Sequence, residues 1–174
     1  DLVFLNLQAA RLGLLDLGRF KRQVNYCLLD NGSCADMVLQ VHGRYDDTTR
    51  FDFMRPMGIW FENFGLPVVI NECLMQSYNG TIRLFPNWPL DRPAAFATLR
   101  AVGAFLVSAS CANGEVERVE ILSEAGSALR IVNPWKAGAR VITGAGETIA
   151  RDASIEMPSR AGETISLLPA LGNE

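Results

Sequence analysis

Residues 65–89 read GLPVVINECLMQSYNGTIRLFPNWP, and this stretch takes the chain from a helix through a tight turn into a strand. Apolar residues repeat at helical spacing over its first part: Leu66, Val69, Ile70, Cys73 and Leu74. Gly65 is expected to break the preceding segment, and Pro67 suits the first turn of a helix, where its missing N–H costs nothing. Asn79-Gly80 predicts a tight turn, and residues 81–85 alternate as a strand does.

Two further helices are predicted upstream of this junction. Their apolar faces are formed by Leu2, Leu5, Ala9 and Leu12 in the first and by Phe20, Val24, Cys27 and Leu28 in the second. Asp16 is the candidate N-cap of the second helix, and Asp30-Asn31-Gly32 supplies a left-handed stop after it. An isolated helix pair cannot bury all of its apolar surface, so we expect either further helices or a second copy of the chain to cover it.

The pattern changes to short strands after Leu90. They are predicted at residues 94–101, 104–111, 116–123, 128–132, 140–143, 154–157 and 164–168. Short strands separated by turn residues are typical of an antiparallel β-sandwich. The sequence therefore predicts an α+β chain, with a helical part over residues 1–89 and a β-sandwich over residues 90–174.

Composition excludes several function classes. The 174 residues carry a formal net charge of −3 without a basic cluster, which argues against nucleic acid as a partner. No apolar run approaches the roughly 20 residues that span a bilayer, and no secretory signal opens the chain. Because the sequence starts at Asp1 and enters a helical pattern at once, we expect it to be cut from a longer polypeptide.

Cysteine and histidine usage predicts neither a metal site nor a cofactor. The chain has four Cys and one His, with no CxxC pair. Cys27 and Cys34 are near enough in sequence to bridge in an exported protein, although buried thiols are the commoner state of Cys. Cys73 and Cys111 are interpreted as core residues.

Residues 33–64 form a long polar stretch without regular periodicity, and long connections of this kind often carry function. The candidate substrate-binding residues are His42, Arg44, Trp60 and Asn63, and the candidate catalytic residue is Glu62. An aromatic face, amide and guanidinium donors and a carboxylate are the groups that a sugar site requires. The bulky apolar neighbours of Glu62 would raise the pKa of its carboxyl group and suit it to proton transfer.

Structural interpretations stand beside these functional ones. A lone His in a polar stretch is most often a surface residue, so His42 is weaker as a ligand than as a hydrogen-bonded side chain. Asp46-Asp47 is more typical of a solvated turn than of a catalytic pair. Glu62 has two structural alternatives, a salt bridge to Arg55 and a cap on the helix that is expected to begin near Leu66.

Five ordered pieces of the chain resemble the end of the barrel in glycoside hydrolases of the family 95 type, the α-L-fucosidase-like enzymes. The pieces are residues 62–65 (ENFG), 70–77 (INECLMQS), 79–82 (NGTI), 84–89 (LFPNWP) and 99–105 (LRAVGAF). An ordered set with matching spacing is harder to obtain by chance than any single short motif.

The resemblance implies the last helical hairpin of an (α/α)6 barrel followed by a C-terminal β-sandwich. It also implies a carbohydrate substrate, inversion at the sugar carbon and an exported bacterial protein, with the general acid on the upstream barrel of the same polypeptide. In that family an Asp precedes Asn-Phe-Gly with one Gly between them. Here Phe61 occupies the Asp position and the acid is Glu62. A chain with one side of the site is expected to hydrolyse no glycoside by itself.

A second function class remains open, namely a non-catalytic module that binds carbohydrate or a protein. The aromatic residues distinguish the two classes: Trp60, Trp88 and Trp135 lining a shallow groove would favour the module. Trp135 follows Asn133-Pro134 at the end of a strand, where a Trp more often covers a sandwich core than binds a sugar.

Overall fold

The computed structural model describes residues 2–28, 32, 34 and 60–170. It is α+β, as predicted, and divides into two compact units, Asp1–Cys73 and Leu74–Glu174. The first unit is helical in its described part, and the second is formed almost entirely by antiparallel strands.

The helical unit contains α1 (Leu2–Arg11), α2 (Leu17–Cys27) and nearly all of α3 (Trp60–Leu74). Asp16 caps α2 as predicted, because its carboxylate accepts a hydrogen bond from the Arg19 backbone N–H at 2.9 Å. This bond favours the ionised form and lowers the pKa of the Asp16 carboxyl group. Gly32 has the expected left-handed φ of 81°, but α2 already ends at Cys27.

The buried face of α1 is not the predicted one. Leu5 and Leu12 are 65% and 72% exposed, whereas Val3 and Ala10 are buried. The core of this unit joins Val3 to Phe20 of α2 and Val69 of α3. On α1 this contact uses Val3 and Ala10, and the larger Leu5 and Leu12 side chains are left outside.

Gly65 is not a helix break, and the predicted helix start near Leu66 is wrong. Helix α3 runs without interruption from Trp60 through Gly65 and Pro67. A Cβ atom on Gly65 would lie 2.6 Å from Cγ1 of Val3 and 3.0 Å from Cγ2. The glycine is therefore needed for close approach of α3 to α1, because any side chain would overlap Val3.

Substituting Gly65→Ala is expected to destabilise the helical unit by about 1 kcal/mol, because the overlap with Val3 exceeds the gain in helix propensity. Urea denaturation followed by the helical circular dichroism signal measures this effect, since the described part of the other unit is mostly strand. The same change in a Val3→Ala background should cost less, because the clashing methyl groups are gone.

Gly144→Ala is the matched control. A Cβ on Gly144 would meet no heavy atom within 4 Å, so this variant should match the parent chain. A Gly65→Ala chain more stable than the parent would show that the α1–α3 contact yields to the extra methyl group.

The junction after α3 contains a short hairpin. Strand β1 (Met75–Gln76) pairs antiparallel with β2 (Arg83–Leu84) across a 3₁₀ turn at Tyr78–Gly80. Asn79 and Gly80 have φ values of 56° and 68°, which confirms the predicted tight turn. Met75 and Gln76 follow α3 directly, and their backbones pair with β2 instead of continuing the helix.

Eight further strands form the rest of the second unit. They are β3 (Ala94–Ala101), β4 (Phe105–Ala112), β5 (Glu115–Ser123), β6 (Leu129–Val132), β7 (Ala139–Thr143), β8 (Gly146–Ala150), β9 (Ser154–Met157) and β10 (Glu163–Pro169). All seven predicted strands are present. The sequence missed β8, an edge strand whose residues are nearly all exposed and show no alternation.

The strands form a sandwich-like arrangement of antiparallel sheets. One sheet has the order β3-β4-β5-β10-β7-β8, and β6 pairs with β9 in another. The hairpin β1–β2 joins β6, because the Ile82 N–H donates to the Arg130 carbonyl and the Val132 N–H donates to the Ile82 carbonyl, both at 2.9 Å. One apolar cluster lies between these layers.

The division between the units falls after Cys73, whereas the sequence pattern placed it after Pro89. The segment between these two positions has its own strands and packs with the sandwich. Met75, Ile82 and Phe85 are all buried in the sandwich cluster. The sequence pattern changes from helix to strand only after Pro89, whereas the residues after Cys73 already pack with the sandwich.

Candidate functional site

Some of the predicted sugar-site residues lie in the described part of the chain and others lie outside it. His42 and Arg44 lie outside the described residues. The backbones of Trp60 and Glu62 are described and lie in α3. Asn63 follows directly and is described in full. The predicted contacts of these residues with a substrate stay predictions.

Asn63 has a well-defined partner in the helical unit. Its Nδ2 donates to the Cys34 carbonyl at 2.8 Å, and its Oδ1 accepts from the Cys34 N–H at 2.9 Å. This is the paired donor–acceptor geometry of a β-ladder, supplied here by a side-chain amide. Cys34 also forms an antiparallel bridge with Leu28. Asn63 therefore holds the chain near Cys34 against the start of α3.

Helix α3 carries the backbone of Glu62 within its described part, which begins at Trp60. Near the other end of α3, Glu72 pairs with Arg11 at 3.0 Å, which ties α3 to α1. Both contacts of α3, at Asn63 and at Glu72, help to fix the helix that carries Glu62.

Two of the three tryptophans are structural. Trp135 is 7% exposed, and its indole N–H donates to the Val116 carbonyl at 2.7 Å. The Trp88 indole donates to the Arg92 carbonyl at 2.9 Å, and its ring packs against the sandwich core. The alternative interpretation of Trp135 as a core residue is confirmed. Neither ring supplies an aromatic platform for a sugar.

Three cysteine side chains of the described part are buried, namely Cys34, Cys73 and Cys111, which agrees with the interpretation of Cys73 and Cys111 as core residues. The side chain of Cys27 lies outside the described residues, so the Cys27–Cys34 alternative stays a prediction. Burial, with a smaller contribution from Glu72, raises the pKa of the Cys73 thiol from 9.0 to about 11. Between these values the unfolded chain loses the proton first, so Cys73 contributes stability below pH 9 that is lost as the pH rises towards 11.

Two absences hold for the described part of the chain. No group of three or more His, Cys, Asp or Glu side chains is arranged there to hold a metal ion. None of its helices is long and apolar enough to cross a membrane.

Sequence reasoning did not single out a groove of about 360 Å³ on the face of the six-stranded sheet. It crosses β3, β4 and β5, and Arg118 and Glu120 form its charged side. The sequence contained only a weak signal for this groove. Arg118 and Glu120 flank the buried Val119, and this alternation places both charged residues on the exposed face of β5.

Comparison with known proteins adds no assignment: no protein-family model matches the sequence, and no curated protein is significantly similar to it.

Proposed function

We propose that this chain is the C-terminal part of an inverting glycoside hydrolase of the α-L-fucosidase-like type, and that it supplies one wall of the sugar site. The observation that supports this most is the continuity of the junction. One helix, α3, carries residues 62–65 in its first half and leads directly into β1, the Asn79-Gly80 turn and β2. The antiparallel sandwich then follows, in the order that the resemblance implies.

In this proposal Glu62 is the carboxylate that orients and activates the water, and Asn63 braces the chain beside it. A carboxylate that hydrogen-bonds the attacking water is suited to accepting its proton. The general acid lies on the upstream barrel, because inverting enzymes hold two carboxyl groups about 6.5–9.5 Å apart on opposite sides of the sugar. The exposed apolar residues of α1 and α3, including Leu5 and Phe64, and Leu12 directly after α1 are then surfaces for neighbouring barrel helices.

The runner-up is a non-catalytic module that binds carbohydrate or protein. The observation that favours it is the groove on the sheet, which lies within the second unit and thus outside the helical unit that contains Glu62. The burial of Trp135 and the packing of Trp88 weigh against an aromatic-lined binding face.

The test compares two polypeptides on aryl fucosides and aryl galactosides. The chain of 174 residues is expected to show no turnover above buffer, because it holds one carboxylate of the pair. A polypeptide that also includes the residues encoded upstream of Asp1 is expected to hydrolyse one of these substrates.

Robust turnover by the shorter chain would contradict the proposal. So would an upstream reading frame without several hundred residues of helical pattern, because no barrel would then exist to carry the general acid. Inversion is checked separately by following the anomeric configuration of the released sugar.

A further inference from the structure

We propose that the groove across β3, β4 and β5 binds a neutral oligosaccharide. It is lined chiefly by Ala95 and Ala97 of β3, Ser108 and Ser110 of β4, and Arg118 and Glu120 of β5. This inference goes beyond the catalytic proposal and does not depend on it, since every one of these residues belongs to the second unit.

The ligand of this groove must be recognised by side chains. The backbone groups of β4 are used in ladders with β3 on one side and β5 on the other. At the irregular point of β3, where Thr98 has a φ of 54°, its N–H donates to Ser108 Oγ at 3.0 Å. An extended peptide that adds a strand would pair along the outer edge of β3, the terminal strand of this sheet, and not across the face that carries the groove.

The hydroxyl groups in the groove retain capacity for further hydrogen bonds. Ser108 Oγ accepts from Thr98, so its own O–H is available as a donor. Ser110 Oγ donates to Glu117 at 2.9 Å, so its lone pairs are available as acceptors. The two serines therefore present one donor and one acceptor side by side.

The two charged residues of the groove differ from six Arg and Glu side chains of the second unit that form ion pairs. These pairs are Arg100–Glu124, Arg130–Glu156 and Arg140–Glu147. Among the described residues, neither Arg118 nor Glu120 has a side-chain hydrogen bond or an ion pair. Both side chains are exposed and lie on one face of β5.

These groups match the chemistry of a polyol. Each sugar hydroxyl is both a donor and an acceptor, and Arg118 donates whereas Glu120 accepts. The charges of Arg118 and Glu120 cancel, and Glu117, which is bonded to Ser110, adds a negative charge, so an anionic ligand is disfavoured. Ala95 and Ala97 are exposed methyl groups that can lie against the C–H face of a pyranose ring. Without an aromatic platform, the affinity is expected to be low, with a Kd of about 1 mM.

The experiment titrates the ¹⁵N-labelled chain with cellotetraose, xylotetraose and mannotetraose, and with trigalacturonate as an anionic probe. At least one neutral probe is expected to shift the amide signals of Ala95, Ala97, Ser108 and Ser110 in a saturable manner. Arg118→Ala and Glu120→Ala should each weaken that binding about tenfold, because each loses a charge-assisted hydrogen bond. Ala95→Leu places a larger side chain in the groove without removing a charge, and it should also abolish the signal shifts caused by the sugar.

Arg130→Ala is the matched control, since it removes an exposed Arg from β6 in the other sheet. Its titration should equal that of the parent chain, and each variant spectrum also reports whether the fold is intact. The proposal is overturned if none of the neutral probes shifts the groove signals, if only trigalacturonate binds, or if binding survives both Arg118→Ala and Glu120→Ala. None of these results depends on hydrolysis, so they are distinct from failure of the catalytic proposal.

Discussion

Replacing Glu62 with Gln, in the polypeptide that includes the upstream barrel, is expected to lower kcat for glycoside hydrolysis by about 10²–10⁴-fold. Gln keeps the size of the side chain and its hydrogen-bonding oxygen but cannot take the proton of an attacking water. KM should change little, because the loss falls on the transition state.

The separate effects on kcat and KM distinguish a catalytic role of Glu62 from a structural one. A structural role for Glu62 would instead lower the amount of folded enzyme and leave the kcat of the active fraction unchanged, which active-site titration measures. Glu115→Gln makes the same chemical change at an exposed position of β5 and should leave both constants unaltered. Unchanged kcat in Glu62→Gln would remove Glu62 from the site.

The strands were predictable because their signals are local. In β4 the burial alternates strictly along the strand, and in β5 it alternates with one irregularity. The Asn79-Gly80 turn was equally predictable, since few residues other than Asn and Gly accept positive φ at low cost. In β8 the missing alternation reflects exposure on both faces, so no periodicity was present to detect.

The failures of prediction concern tertiary contacts. A glycine such as Gly65 is typical of a helix break, but here its role is to leave room for Val3 of another helix. The buried face of α1 is likewise decided by which residues fit against α2 and α3, not by which are most apolar.

The groove on the sheet shows why sites are harder to predict than elements. Its residues come from three strands that are brought side by side by the register, in which Ser110 lies opposite Arg118 and Ser108 opposite Glu120. In the sequence, the two members of each pair lie on opposite sides of a hairpin, and a bulge between Ser110 and Cys111 shifts the register. A shift of one residue in the register would put the serines on the buried face.

Trp135→Ala is expected to destabilise the sandwich unit by about 3–5 kcal/mol, through lost burial and the cavity that remains. That is a large share of the roughly 5–15 kcal/mol that stabilises a typical domain. Trp135 belongs to the buried sandwich cluster, and only 7% of its surface is exposed. Amide hydrogen exchange at the fully buried Ile121, Ile165 and Leu167 measures the opening free energy of this unit directly.

A pair of Trp→Phe variants isolates the hydrogen bond from the packing. Trp135→Phe keeps most of the ring but leaves the Val116 carbonyl without its 2.7 Å donor in a buried setting, which should cost about 1–3 kcal/mol. Trp88→Phe removes the equivalent bond to the Arg92 carbonyl at an exposed site, where water replaces the indole, so its cost should be about 0.5 kcal/mol. Equal costs for the two variants would mean that water reaches the Val116 carbonyl, and the indole of Trp135 would then stabilise the sandwich through its packing alone.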